Sequence, residues 1–178
     1  PVSDKAGLLI DLDYAIQGQV TKELTLEVIS DTEIVGYKKS AYWAPEQYIY
    51  FYAKTSKPFT SATFYRNDSI IAGVKEVSGS GKVLLSFATK ADEVVMLKVG
   101  ISAVDTDGAR KNLEAEIPEW DFDKIKFATR KAWNDYLAKV DLKTENSEYK
   151  RIFYTALYHT AIAPNFFSDT DGRYRGMD

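Results

Sequence analysis

The sequence predicts an α+β chain, an antiparallel β-sandwich followed by helices. Three observations carry this. The first hundred residues alternate apolar and polar side chains with the period of two that marks half-buried strands. Turn signals interrupt them at short intervals: Gln17-Gly18-Gln19, Ser30-Asp31, Arg66-Asn67-Asp68 and Ser78-Gly79-Ser80-Gly81. Near Val104 the period lengthens to that of a helix and stays there.

The strands come first. Leu24, Leu26 and Val28 alternate with Glu23, Thr25 and Glu27. From Gln47 to Lys54, one face holds Tyr48, Tyr50 and Tyr52 and the other Ile49, Phe51 and Ala53. A strand apolar or aromatic on both faces belongs inside a sheet. Val95, Leu97, Val99 and Ile101 form a further alternating set, whose apolar side is expected inward. Short strands at this spacing suggest a sandwich, although these alone do not close one, so further strands are expected upstream of residue 1.

The helices follow. Asp105 is placed to cap a first helix with Ala109, Leu113 and Ile117 on its inner side, ended by Pro118. Asp121 caps a second, with Phe122, Ile125, Ala132, Trp133, Tyr136 and Val140 at helical spacing and a lysine-rich opposite face. Asn146 or Ser147 opens a third, with Phe153, Leu157 and Ala161 on one stripe, and it runs out near Pro164. The predicted divisions are a sandwich over 1–103, a helical linker over 104–144 and the opening of a helical domain over 145–178. With so few helices, Phe153 and Leu157 are expected to seek cover on the sandwich or on another chain.

Composition narrows the chemistry. The 178 residues carry a net charge of −3 and no cysteine. That excludes thiolate catalysis, disulfides and cysteine-held zinc, and gives no broad basic surface for nucleic acid. No apolar run is long enough to span a membrane. The chain opens on Pro1 without an initiator Met, shows no signal peptide, and is expected to be an internal piece of a longer protein.

Polar functional groups are densest in the closing segment, Phe166 to Asp178, which holds Asp169, Asp171, Arg173, Arg175 and Asp178 with Gly172 and Gly176 at bends. Asp accepts from hydroxyls and Arg offers a planar donor fork, which is sugar-binding chemistry. By spacing alone the segment reads sooner as a surface loop whose Asp side chains hold their own turns. Asp169-Thr170-Asp171-Gly172 lacks the further ligands of a calcium loop, so no metal site is assigned to it. The lone His159, beside Ile152 and Ala156, reads as a packed helix residue rather than a general base. The Tyr48-Tyr50-Tyr52 stripe reads as a sheet face under another layer, with a sugar-stacking platform as the alternative.

Five stretches, in order, resemble glycoside hydrolase family 92, the exo-acting α-mannosidases. They are Phe51 to Phe59, Leu97 to Ser102, Ala109 to Glu116, Phe153 to Thr160 and Asp171 to Asp178. The resemblance implies a supersandwich-like N-terminal β-domain, linker helices and the first helix of an (α/α)6 barrel. It implies calcium-dependent, inverting removal of terminal α-linked mannose from glycans by a periplasmic or secreted enzyme. The catalytic acid and base would lie in the rest of the parent chain, so none is assigned here and the segment alone is expected to be inactive. Asp178 would accept hydrogen bonds from mannose hydroxyls, Arg175 and Gly176 would shape the same wall, and His159 would pack beneath it. The competing expectation is a non-catalytic carbohydrate-binding β-sandwich module.

Overall fold

The computed structural model describes residues 5–16 and 18–176. Nine strands and three helices are found among them. β1 (Lys5–Asp11), β8 (Lys82–Ala88), β5 (Ser61–Arg66) and β6 (Ser69–Ile71) form a four-stranded sheet in that order. β7 (Glu76–Ser78), β2 (Val20–Val28), β3 (Glu33–Ala41), β4 (Gln47–Thr55) and β9 (Leu97–Ser102) form a five-stranded one. All pairings are antiparallel.

The two sheets close a sandwich, although the strand signals did not require it. Leu26 and Ile34 from one sheet meet Phe64, Val83 and Leu85 from the other, all at most 1% exposed. Each such side chain stabilises the fold by about 1.5–3 kcal/mol through area removed from water. The tight β5–β6 turn places Asn67 and Asp68 at φ 47° and 61°, the left-handed pair that a two-residue hairpin needs. β4 is an inner strand, as its two-sided composition predicts, with Phe51, Tyr52 and Ala53 buried while Ile49 is 53% exposed.

β9 departs from expectation. Leu97, Val99 and Ile101 are 41%, 46% and 63% exposed, while Gly100 and Ser102 are the buried positions. The reason is position. β9 is an edge strand, and α1 (Thr106–Glu116) lies on the face opposite to Leu97, Val99 and Ile101. Asp105 caps α1, its side chain accepting from Gly108 N at 2.6 Å. Ala109 and Leu113, one helical turn apart, bury against Tyr52. Ile117 ends the helix before Pro118, its N–H donating to Leu113 O.

Residues 1–118 and 168–178 form one compact unit and 119–167 a second. The second unit holds α2 (Phe122–Leu137), capped by Asp121, and α3 (Ser147–Thr160), capped by Asn146. Trp133 meets Tyr158 at 4.5 Å between ring centres, and Tyr154 Oη donates to Val140 O at 2.8 Å. Neither helix has a fully buried residue. Phe122, expected on the inner stripe, is 69% exposed at the first turn. Phe153 and Leu157 are half-buried, and His159 is exposed rather than packed. A pair of helices has too few neighbours to bury a full stripe.

Candidate functional site

The outer face of the five-stranded sheet carries the tyrosines. Tyr37 stacks on Tyr50 with ring centres 4.6 Å apart, and on Tyr48 at 6.1 Å. Cross-strand registry explains this, since Tyr37 of β3 lies directly opposite Tyr50 of β4. Tyr37 Oη donates to Glu23, and burial with that carboxylate pushes its phenol up to about 12. Next along β4, Tyr52 packs under α1 and donates to Glu33 at 2.6 Å. Tyr52 and Lys54 hold the Glu33 carboxyl below its ordinary value.

Residues 168–176 of the closing segment lie on this same face. Tyr50 is registered against Ser102 at the end of β9, and Ser102 Oγ donates to Asp169 at 2.8 Å. Asn112 of α1 donates to the other Asp169 oxygen at 2.8 Å. Its amide oxygen accepts from Thr170 N and Oγ1 at 2.8 and 3.0 Å. Asp169 N donates to Arg173 O and Gly172 N to Asp169 O, closing a turn in which Gly172 takes φ 84°.

Arg173 follows. Its guanidinium donates to both Asp105 oxygens, at 2.6 and 3.3 Å, and to Asp171 at 2.9 Å. Asp105 therefore caps α1 and clasps the segment with one carboxylate. Arg173 first, and then the Gly108 N–H, hold the Asp105 carboxyl below its ordinary value. Asp171 is lowered too, chiefly by the Arg173 backbone N–H. Two residues on, the Arg175 guanidinium sits over the Tyr48 ring, its Cζ 3.3 Å from the ring centre.

The clasp has a pH dependence of definite sign. Folded-state values lie below the ordinary 3.8 of both carboxyls, so their contribution is complete above that value and is lost as pH falls through the lowered ones. The Tm difference between the protein and Arg173→Ala is expected to hold steady down to about pH 5 and to shrink below about pH 4. A difference still undiminished near pH 3 would contradict the charge-assisted pairing.

Of the residues singled out by sequence, Arg175 is half-buried on Tyr48 and Gly176 is exposed. A side chain at Gly176 would meet nothing within 4 Å. Asp178 lies outside the described residues. The tyrosine stripe has little ring face left for a sugar, since its rings stack on each other and Tyr48 is covered by Arg175 and approached by Lys39 at 5.0 Å. The roles of Ser102, Asn112 and Arg173 were missed, because their partners lie about sixty residues away in sequence. A cavity of about 520 Å³ elsewhere, lined by Ala6, Leu8, Phe87 and Asp92 to Leu97, shares no residue with this segment. Among the described residues no group of three or more His, Asp or Glu side chains could hold a metal ion. Asp105, Asp169 and Asp171 are each committed to protein donors.

Comparison with known proteins follows the same order along the chain. The model of the glycosyl hydrolase family 92 N-terminal domain matches residues 1–102, and that of the glycosyl hydrolase family 92 catalytic domain matches 108–178. The interval between them falls at the start of α1. A family GH92 alpha-mannosidase of Bacteroides thetaiotaomicron is similar in structure, with a TM-score of 0.91 and 35% identity over 99% of this chain. Its complex with mannoimidazole gives a TM-score of 0.90 at the same identity and coverage. The GH92 family glycosyl hydrolase ccman5 gives 0.84 at 25% identity, again over 99% of this chain. Each alignment covers 24% of the other protein, so the chain spans about a quarter of their length. A curated relative, an uncharacterized secreted glycosidase of Arthroderma benhamiae, is 35% identical over 78 residues, covering 42% of this chain and 10% of the relative.

Proposed function

The chain belongs to glycosyl hydrolase family 92, and we propose that the protein it forms part of removes terminal α-linked mannose from glycans by inverting hydrolysis. The carrying observation is the likeness, over nearly the whole chain, to a Bacteroides thetaiotaomicron alpha-mannosidase whose structure is also known with mannoimidazole. In inverting hydrolysis one carboxylic acid protonates the leaving oxygen while a second carboxylate activates water on the opposite face of the sugar. Both carboxyl groups are assigned to the remainder of the protein, so residues 1–178 alone are expected to turn over nothing.

This chain supplies one wall of the sugar site. Arg175 spends the face of its guanidinium on Tyr48, which leaves the N–H edge to donate to a hydroxyl. The open space beside Gly176 admits a ligand close to the backbone. Asp178 accepts from mannose hydroxyls. Calcium is proposed for the remainder of the protein, since the described residues offer it no seat, and the chemistry assigned to this segment does not pass through it. Secretion accords with the relative named as secreted, and export to the periplasm is proposed as its counterpart. No helix among the described residues is long and apolar enough to cross a membrane.

The test is the full-length protein on an aryl α-mannoside, followed by NMR at the anomeric carbon before mutarotation, with a second sample treated with a calcium chelator. β-Mannose should form first, and chelation should abolish turnover. α-Mannose formed first would overturn inversion, and no turnover of any α-mannoside would overturn the reading itself.

A further inference from the structure

Among the contacts that hold the closing segment, one rests on a buried carboxylate. Asp169 is 6% exposed, and both of its oxygens accept from uncharged donors, Ser102 Oγ and Asn112 Nδ2. Burying an acidic side chain among neutral groups is costly unless its lone pairs are satisfied, as they are here. Asn112 is itself fixed by donating to Ile101 O at 2.9 Å. Space for the carboxylate comes from Gly108. That residue is helical and has no positive φ, yet a Cβ on it would collide with Asp169 Oδ2 and stand 2.9 Å from Ser102 Oγ. A glycine there costs helix stability and is explained by the approach of Asp169.

A surface loop needs none of this, because Arg173 with Asp105 and Asp171 with Lys111 would hold it down. The buried point does something the exposed pairs cannot. Long, exposed, charged side chains tolerate sliding, whereas a short carboxylate enclosed on three sides does not. From that point the chain runs to Arg173 on Asp105 and Arg175 on Tyr48, with Tyr174 between them 69% exposed.

We propose that Asp169 is a positioning residue, whose enclosed carboxylate, held by Ser102 and Asn112 with Gly108 as its clearance, sets where the sugar-facing end of the segment stands on the sandwich. This deepens the proposed mannosidase reading and rests on it. The wall of the sugar pocket is then registered to the sandwich and α1 through Asp169, and the forked Arg173–Asp105 pair reinforces that placement.

The experiment uses the full-length protein with an α-mannoside substrate, comparing Asp169→Ala, Gly108→Ala and the double variant. Asp169→Ala is expected to lower kcat about 30-fold, in line with the cost of ångström-scale misplacement. Gly108→Ala should lower it about tenfold by displacing the carboxylate. In the double variant the collision with Asp169 is gone and only the Ser102 hydroxyl, at 2.9 Å, has to turn aside, so its kcat should stay close to that of Asp169→Ala alone. Losses that multiply, or variants whose Tm falls while kcat and KM stay at wild-type values well below Tm, would overturn the proposal. Should Asp169→Ala fail to fold, Asp169→Asn, which keeps its size and loses one acceptor, is judged by the same criteria. An inactive wild-type protein overturns the mannosidase reading and this inference together; an active one with unaffected variants overturns this inference alone.

Discussion

Gly100→Ala is expected to cost about 3 kcal/mol of stability, at the upper end of overpacking penalties. Gly100 stands opposite Tyr52 in the β4–β9 ladder, directly beneath α1. A Cβ there would run into the carbonyl oxygen of Ala109 and lie 2.8 Å from Leu113 Cβ. Neither obstacle is the free end of a long side chain. One is helix backbone, and the other is the root of a buried leucine. The helix must therefore lift, which uncovers Ala109, Leu113 and the ring of Tyr52 together. It would also carry Gly108 and Asn112 away from Asp169, so the closing segment loosens with it. Denaturant unfolding measures this directly. Gly176→Ala is the control, since its added methyl meets nothing, and it should stay within about 0.5 kcal/mol of the parent. Equal stability for Gly100→Ala would mean that α1 is not seated on β9.

The features legible from sequence were those decided within a few residues. Asp105, Asp121 and Asn146 cap their helices because a short acceptor before a helical run has its donors two or three residues ahead. The inner placement of β4 was legible because both of its faces are apolar or aromatic. The buried side of β9 was not. Leu97, Val99 and Ile101 alternate in the same way whether or not a second sheet reaches over them. What decides is that the four-stranded sheet leaves that edge uncovered while α1 takes the other face. His159 failed for a related reason, as an apolar neighbourhood along a helix says nothing of what covers it. In the site, the Asp171-Gly172 turn was local and readable, and Gly172 does take the left-handed conformation. The Asp169–Ser102 and Arg173–Asp105 pairs span 67 and 68 residues, and no spacing rule reaches that far. Arg175 was singled out from the polar cluster only through family resemblance, and its place on Tyr48 follows from the sheet.

In the full-length protein, Asp178→Ala is expected to lose about 3 kcal/mol of transition-state stabilisation, roughly 150-fold in kcat/KM. A carboxylate that accepts from sugar hydroxyls makes charge-assisted bonds, and these tighten as the ring distorts towards an oxocarbenium ion. The loss should therefore fall mainly on kcat, because ground-state binding gains less from the same contacts. Arg175 provides an internal comparison. Arg175→Lys keeps the charge but cannot lie flat on Tyr48 with its N–H edge free, so it should lose nearly as much activity as Arg175→Ala. Tyr48→Phe keeps the ring and should be nearly silent. Tyr48→Ala removes the ring and should cost about as much as Arg175→Ala, with little further loss when the two are combined. Such coupling would mark the stack as the device that orients Arg175. Additive losses would mean that Arg175 acts from a position Tyr48 does not set, and unchanged kinetics for Asp178→Ala would remove that carboxylate from the sugar pocket.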